Sequence, residues 1–101
     1  MNINMTNVAL KSILDGNGTK VRFVKTTSHA FALNQANQGE PMITNSDVEF
    51  TTIGGVDFVK IKRWDPSSNK YYYEYYVTGA IEKVVVTENE NDVLDPYSIQ
   101  F

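Results

Sequence analysis

The spacing of apolar positions changes once along the chain. Val8, Leu10, Ile13 and Leu14 recur one to three residues apart, with Leu10 and Leu14 one helical turn from each other. That spacing makes one stripe of a short helix. Thr6 or Asn7 suits its N-cap, because either side chain can accept a hydrogen bond from an early helix N–H. Asp15-Gly16-Asn17-Gly18 ends it, with Gly16 suited to the left-handed position after the last turn. A helix over residues 6–15 is expected. It is too short to hold in water alone, so it has to dock on something.

From Lys20 the period becomes two, and β-branched and aromatic residues take over. Lys20–Thr27 and Ala30–Leu33 read as a hairpin turning at Ser28-His29. Residues 34–47 read as a long connecting loop, rich in Asn, Gln, Gly, Pro and Ser. Val48–Thr52, Val56–Trp64, Tyr71–Val77 and Ile81–Val86 follow as four strands. Gly54-Gly55 marks a tight hairpin turn between the first two. Asp65–Lys70 is a polar turn with Pro66 at its second position. Short strands joined by tight turns imply a mainly β fold: a small antiparallel barrel or a strongly bent sheet of 5–6 strands with one short N-terminal helix.

At 101 residues the chain has the size of one domain. Residues 1–86 are expected to form it, with 87–101 as an acidic C-terminal tail. Charge follows the same division. The formal net charge is −3, but all nine basic residues lie before residue 84, and Glu88, Glu90, Asp92 and Asp95 follow without a base. The chain is therefore not a strongly basic nucleic-acid binder. The tail alternates apolar residues at Tyr97, Ile99 and Phe101. It reads as an edge strand of this fold or as a peptide that docks on a partner's sheet edge.

No stretch approaches the roughly 20 apolar residues of a membrane-spanning helix. No basic segment followed by an apolar run opens the chain, so a leader peptide is not expected. There is no Cys, hence no disulfide framework and no thiolate zinc site. A cytoplasmic protein without membrane attachment fits these absences.

Three segments carry a resemblance. The first is Gly16-Asn17-Gly18 followed by Lys20–Lys25. The second is Val59–Asp65 ahead of a polar turn. The third is Tyr76–Val86. They resemble a group of small bacteriophage proteins with an SH3-like β-barrel fold, over about half of the chain. The residues between 34 and 55 and the acidic tail depart from that pattern. The resemblance implies an SH3-like barrel and a phage origin, with action in the host cytoplasm. It transfers no catalytic residue.

Little in the sequence points to catalysis. The one histidine, His29, falls in a hairpin turn, and no nucleophile elbow surrounds any serine. Glu88-Asn89-Glu90-Asn91-Asp92 alternates acids and amides, but Ile99 stands where a calcium loop needs its bidentate Glu. Gly16–Lys20 follows a helix and precedes a strand, the reverse of a phosphate-binding loop. A non-enzymatic protein is expected, with no metal site and no cofactor.

The tyrosine run is the clearest candidate for binding. Five of the six residues 71–76 are tyrosine. Strand alternation places Tyr71, Tyr73 and Tyr75 on one face and Tyr72, Glu74 and Tyr76 on the other. Glu74 marks its own face as the wetter, so Tyr72 and Tyr76 are expected to be exposed. With Trp64, Tyr97 and Phe101 they form the candidate protein-binding set. On this reading the chain is a protein-binding module. Taken with the resemblance, that implies a phage protein that binds and modulates or inhibits a host protein or defence factor. Two alternatives stand beside it. One is a nucleic-acid-binding barrel in which Arg22, Lys60 and Lys62 contact phosphates beside the tyrosines. The other is a structural or assembly component of a virion, which forms homo-oligomers.

Overall fold

The computed structural model describes residues 3–36 and 39–95. Helix α1 (Asn7–Asn17) is followed by strands β1 (Val21–Thr26), β2 (Ala30–Ala32), β3 (Val48–Ile53), β4 (Val56–Asp65), β5 (Lys70–Val77) and β6 (Ile81–Val86). The strands form two three-stranded antiparallel sheets, ordered β2-β1-β6 and β3-β4-β5. No hydrogen-bonded ladder among the described residues joins the two sheets into a closed barrel. The chain passes from the first sheet to the second through the long connection between β2 and β3, and returns through a single 3-10 turn, Thr78–Ala80, between β5 and β6.

The helix begins one residue later and ends two residues later than its apolar stripe predicts. Thr6 is the cap, and its Oγ1 accepts from the Ala9 N–H at 3.1 Å. Asn7, the other candidate, instead ties the helix down. Its backbone N–H donates to Asp57 Oδ2, its amide donates to the Thr51 carbonyl, and its Oδ1 accepts from the Thr78 hydroxyl. Gly16 lies inside the helix, and Gly18 takes the positive φ after it. Leu10 and Leu14 enter the core.

β1 is bonded on both edges, and Val21 through Val24 are all buried. Two of its residues span one on β6 between the pairs Val21–Val86 and Phe23–Val85. Such a bulge rotates the strand locally. Val21 and Val24 consequently share the core with Phe31, Leu33, Ile43, Val59, Ile61 and Ile81. The alternation expected from Lys20 onward is broken there, and Arg22 points inward rather than into a solvent-facing stripe with Lys20.

In the second sheet the register runs unbroken. β3 and β4 turn through Gly54 and Gly55, with φ of 57° and 79°, the conformation that a two-residue hairpin turn needs. β4 and β5 turn through Asp65–Lys70, where the Asp65 carboxylate accepts from the Ser67 N–H and from the Ser67 and Ser68 hydroxyls. Those bonds hold the Asp65 carboxyl below its usual range. Val48, Val59 and Ile61 of this sheet face the core, with Phe50 and Tyr76 packed against it.

The described parts of the long connection between β2 and β3 are fastened. Asn34, at φ 57°, bonds through its backbone N–H to the Ile43 carbonyl and through its amide to the Val21 carbonyl and Asn45. Ile43 is buried. Thr44 and Asp47 close a capping box over the turn Asn45–Asp47.

The described residues beyond β6, up to Asp95, are likewise held. Thr87 is buried, and its N–H donates to the Lys20 carbonyl. The side-chain amide of Gln35 donates to and accepts from the backbone of Leu94, at 3.1 Å each way. Glu88, Glu90 and Asp92 stay exposed, as a solvated acidic run requires, while the Glu90 and Asp92 carbonyls accept from the buried Arg22. Tyr97 and Phe101, and the edge strand expected of the last residues, lie outside the described residues. No helix among the described residues is long and apolar enough to cross a membrane.

Candidate functional site

The outward side of the β3-β4-β5 sheet is apolar and cationic together. β4 contributes Val56, Phe58, Lys60, Lys62 and Trp64, since alternate residues of a strand share a face. Opposite them on β5 stand Val77, Tyr75, Tyr73 and Tyr71, in the pairs Phe58–Val77, Lys60–Tyr75, Lys62–Tyr73 and Trp64–Tyr71. Tyr71, Tyr73 and Tyr75 are 52–53% exposed, and Val56, Val77 and Ile53 are also exposed.

The side chains make a ladder. Lys60 Nζ stands 4.3 Å from the centroid of the Tyr73 ring and 5.9 Å from that of Tyr75. Lys62 Nζ is 4.2 Å from the Tyr71 centroid. Tyr71 meets Trp64 edge to face at 4.8 Å, and Tyr75 meets Phe58 in the same way at 6.3 Å. An ammonium over a ring face is attracted by the negative π-cloud, by about 0.5–1 kcal/mol where the site is exposed. Glu49 adds a carboxylate 3.7 Å from Lys60. At the Trp64 end, a notch of about 60 Å³ is lined by Pro41, Met42, Trp64 and Tyr71, with Lys62 and Asp47 at its polar side.

The exposed face is the opposite of the one Glu74 suggests. Glu74 sits on the inner side because Arg63 neutralises it there. Arg63 forks onto Glu40 through Nε and Nη2, at 3.2 and 2.8 Å, and its Nη1 donates to Glu74 at 2.9 Å. Burial disfavours the Arg63 charge, but the bond and charge of Glu40 and the charge of Glu74 outweigh it, and the net shift of its pKa is upward. Tyr76, expected to be exposed, is half-buried against the core. Its ring packs on Phe31 at 5.5 Å and stacks with His29 at 6.1 Å. Burial, followed by the charge of Glu74, pushes its phenol up to about 12. Tyr72 is 43% exposed, but on the side away from the ladder. Trp64 is on the ladder, as are Lys60 and Lys62.

Arg22 leaves the set of phosphate contacts. It is 2% exposed, and its guanidinium donates to four main-chain carbonyls, those of Thr19, Asn34, Glu90 and Asp92. Its strand and that of Lys60 and Lys62 belong to different sheets, so the basic residues of β1 and β4 do not merge into one stripe. Sequence reasoning missed Tyr71, Tyr73 and Tyr75 as the exposed members. The pairing of alternate tyrosines with Lys60 and Lys62 was the signal, and only the hairpin register makes it visible.

Among the described residues, no three His, Asp or Glu side chains gather as a metal site. No family model, curated protein or solved structure matches this chain.

Proposed function

We propose that this protein is a non-enzymatic protein-binding module that docks a partner on the outer face of β3-β4-β5. The observation that carries this reading is the position of the lysines over the tyrosine rings. A platform for unpaired bases needs free ring faces to stack on. Here the ammonium groups of Lys60 and Lys62 occupy faces of Tyr73 and Tyr71. What remains is a plate of ring edges, aliphatic stems and two cations. Aromatic anchors within a polar rim suit a protein surface that carries apolar side chains and carboxylates.

The finer reading is an SH3-like fold from a phage, acting in the host cytoplasm on a host protein. The 3-10 step between β5 and β6, and the return of β6 to the side of β1, support the SH3-like part. The host partner rests on the resemblance.

Capture from nuclease-treated bacterial lysate tests the reading, with wild type compared against Tyr71→Ser/Tyr75→Ser. Both side chains are exposed, so the double variant is expected to keep its circular dichroism spectrum and lose the captured protein. Suppose instead that nuclease abolishes capture, and that Lys60→Glu/Lys62→Glu abolishes oligonucleotide binding in a steeply salt-dependent way. The face then belongs to nucleic acid.

A further inference from the structure

The β5 edge carries few guards against strand pairing: Lys70 at its start and Glu74 are its only charged residues. Among the described residues its eight residues pair only with β4, and the register has no bulge. It contains no proline, and its single acid, Glu74, is held by Arg63. Natural edges are ordinarily blunted by proline, bulges or an inward-pointing charge. The other edge of this sheet, β3, is shorter, with six residues, and has Glu49 exposed.

We propose that a second copy of this chain pairs antiparallel with β5 about a two-fold axis through Tyr73, joining two three-stranded sheets into one of six strands. The register follows from parity and charge. Opposed residues on paired strands share a face, so a slip of one residue would set the outer tyrosines against inner residues. That leaves axes centred on a residue. An axis through Glu74 opposes two carboxylates. An axis through Tyr72 leaves Tyr75, Tyr76 and Val77 without a strand partner. An axis through Tyr73 engages residues 70–76. It sets Tyr71 against Tyr75, Tyr72 against Glu74, and Lys70 against Tyr76 of the second copy. These are an aromatic pair, a phenol facing a carboxylate and an ammonium facing a ring, and each is attractive across strands. Both tyrosine–lysine ladders then lie side by side on one face.

Edge pairing of one strand buries less than the roughly 1,600 Å² of a standard interface, so the dimer is a weak one that concentration drives. The inference goes beyond the docking face, because it uses the edge of β5 and not the ladder's outer surface.

Sedimentation equilibrium of the full chain over a range of concentrations tests it. Wild type is expected to shift from 11.4 kDa toward twice that mass as concentration rises. Tyr73→Lys and Tyr73→Glu each set like charges against each other at the axis. Each is expected to remain monomeric with an unchanged circular dichroism spectrum, and an equal mixture of the two is expected to recover the dimer. A wild type that stays monomeric throughout overturns the proposal, and so does a Tyr73→Lys chain that dimerises as well as wild type. A monomeric wild type that still captures a partner removes the dimer and leaves the docking reading standing. A dimeric wild type that captures nothing does the reverse.

Discussion

Arg22 and Asp92 are 70 residues apart, and Arg22 Nε donates to the Asp92 main-chain carbonyl at 2.7 Å. The same guanidinium bonds the Glu90 carbonyl and the carbonyls of Thr19 and Asn34. One buried side chain thereby fastens the segment after β6 to the start of β1 and to the end of β2. Replacing it with methionine keeps much of its length and removes every donor, so carbonyls packed around it lose their partner. Arg22→Met is expected to cost about 2–4 kcal/mol, the range for breaking a buried hydrogen-bond network. Arg22→Lys should recover little of this, since an ammonium lacks the planar fork. Urea unfolding measures the loss. Native-state hydrogen exchange should show residues 88–94 opening more than β4 does. Equal opening of the two would show that Arg22 stabilises the fold without latching that segment.

Gly16 and Gly18 stand two residues apart and should respond oppositely to alanine. Gly16 is helical, and a Cβ there would meet nothing within 4 Å. Gly16→Ala is expected to stabilise by about 0.5–1 kcal/mol, the difference in helix propensity. Gly18 also has open space, but its φ of 56° and ψ of −129° belong to backbone that side chains rarely adopt. Gly18→Ala is expected to destabilise by about 1–3 kcal/mol from backbone strain alone. Thermal unfolding of the two variants beside wild type checks both signs.

The elements of this fold are legible in sequence where local chemistry decides them. The Thr6 cap, the Gly54-Gly55 turn, the Asp65–Lys70 turn and all six strands lie within a residue or two of their pattern. What stays hidden depends on partners distant in the chain. Arg22 looks like a surface cation until the fold buries it among four carbonyls from three segments. Glu74 looks like a marker of the wet face until Arg63 and Glu40 meet it on the inner side. The choice between the two tyrosine sets turned on that carboxylate, so a single long-range ion pair inverted the assignment of the exposed face. The tethering of the 34–47 connection through Asn34 and Ile43 is equally non-local. Composition alone marked that segment as a plain loop.

Tyr76 should give the fold a measurable sensitivity to alkali. Its phenol is pushed up to about 12, chiefly by burial and next by the charge of Glu74, against the pull of Arg63. A tyrosine in the unfolded chain titrates near pH 10. Between those values the unfolded chain releases the proton and the native chain keeps it. Stability therefore falls as pH rises: Tyr76's contribution is complete below about pH 10 and is lost through the interval up to about 12. Two pH units would correspond to under 3 kcal/mol, and solvent screening of a half-buried group reduces this to about 1–2 kcal/mol. Tyr76→Phe keeps the ring against Phe31 and removes the ionisable group. Other tyrosines and the lysines titrate in both proteins, so the difference between the two curves isolates this phenol. Urea midpoints followed from neutral pH into alkali should fall more steeply for wild type than for Tyr76→Phe. Parallel curves would mean that the Tyr76 hydroxyl ionises as freely in the native protein as in the unfolded chain, against the burial that packs its ring on the core.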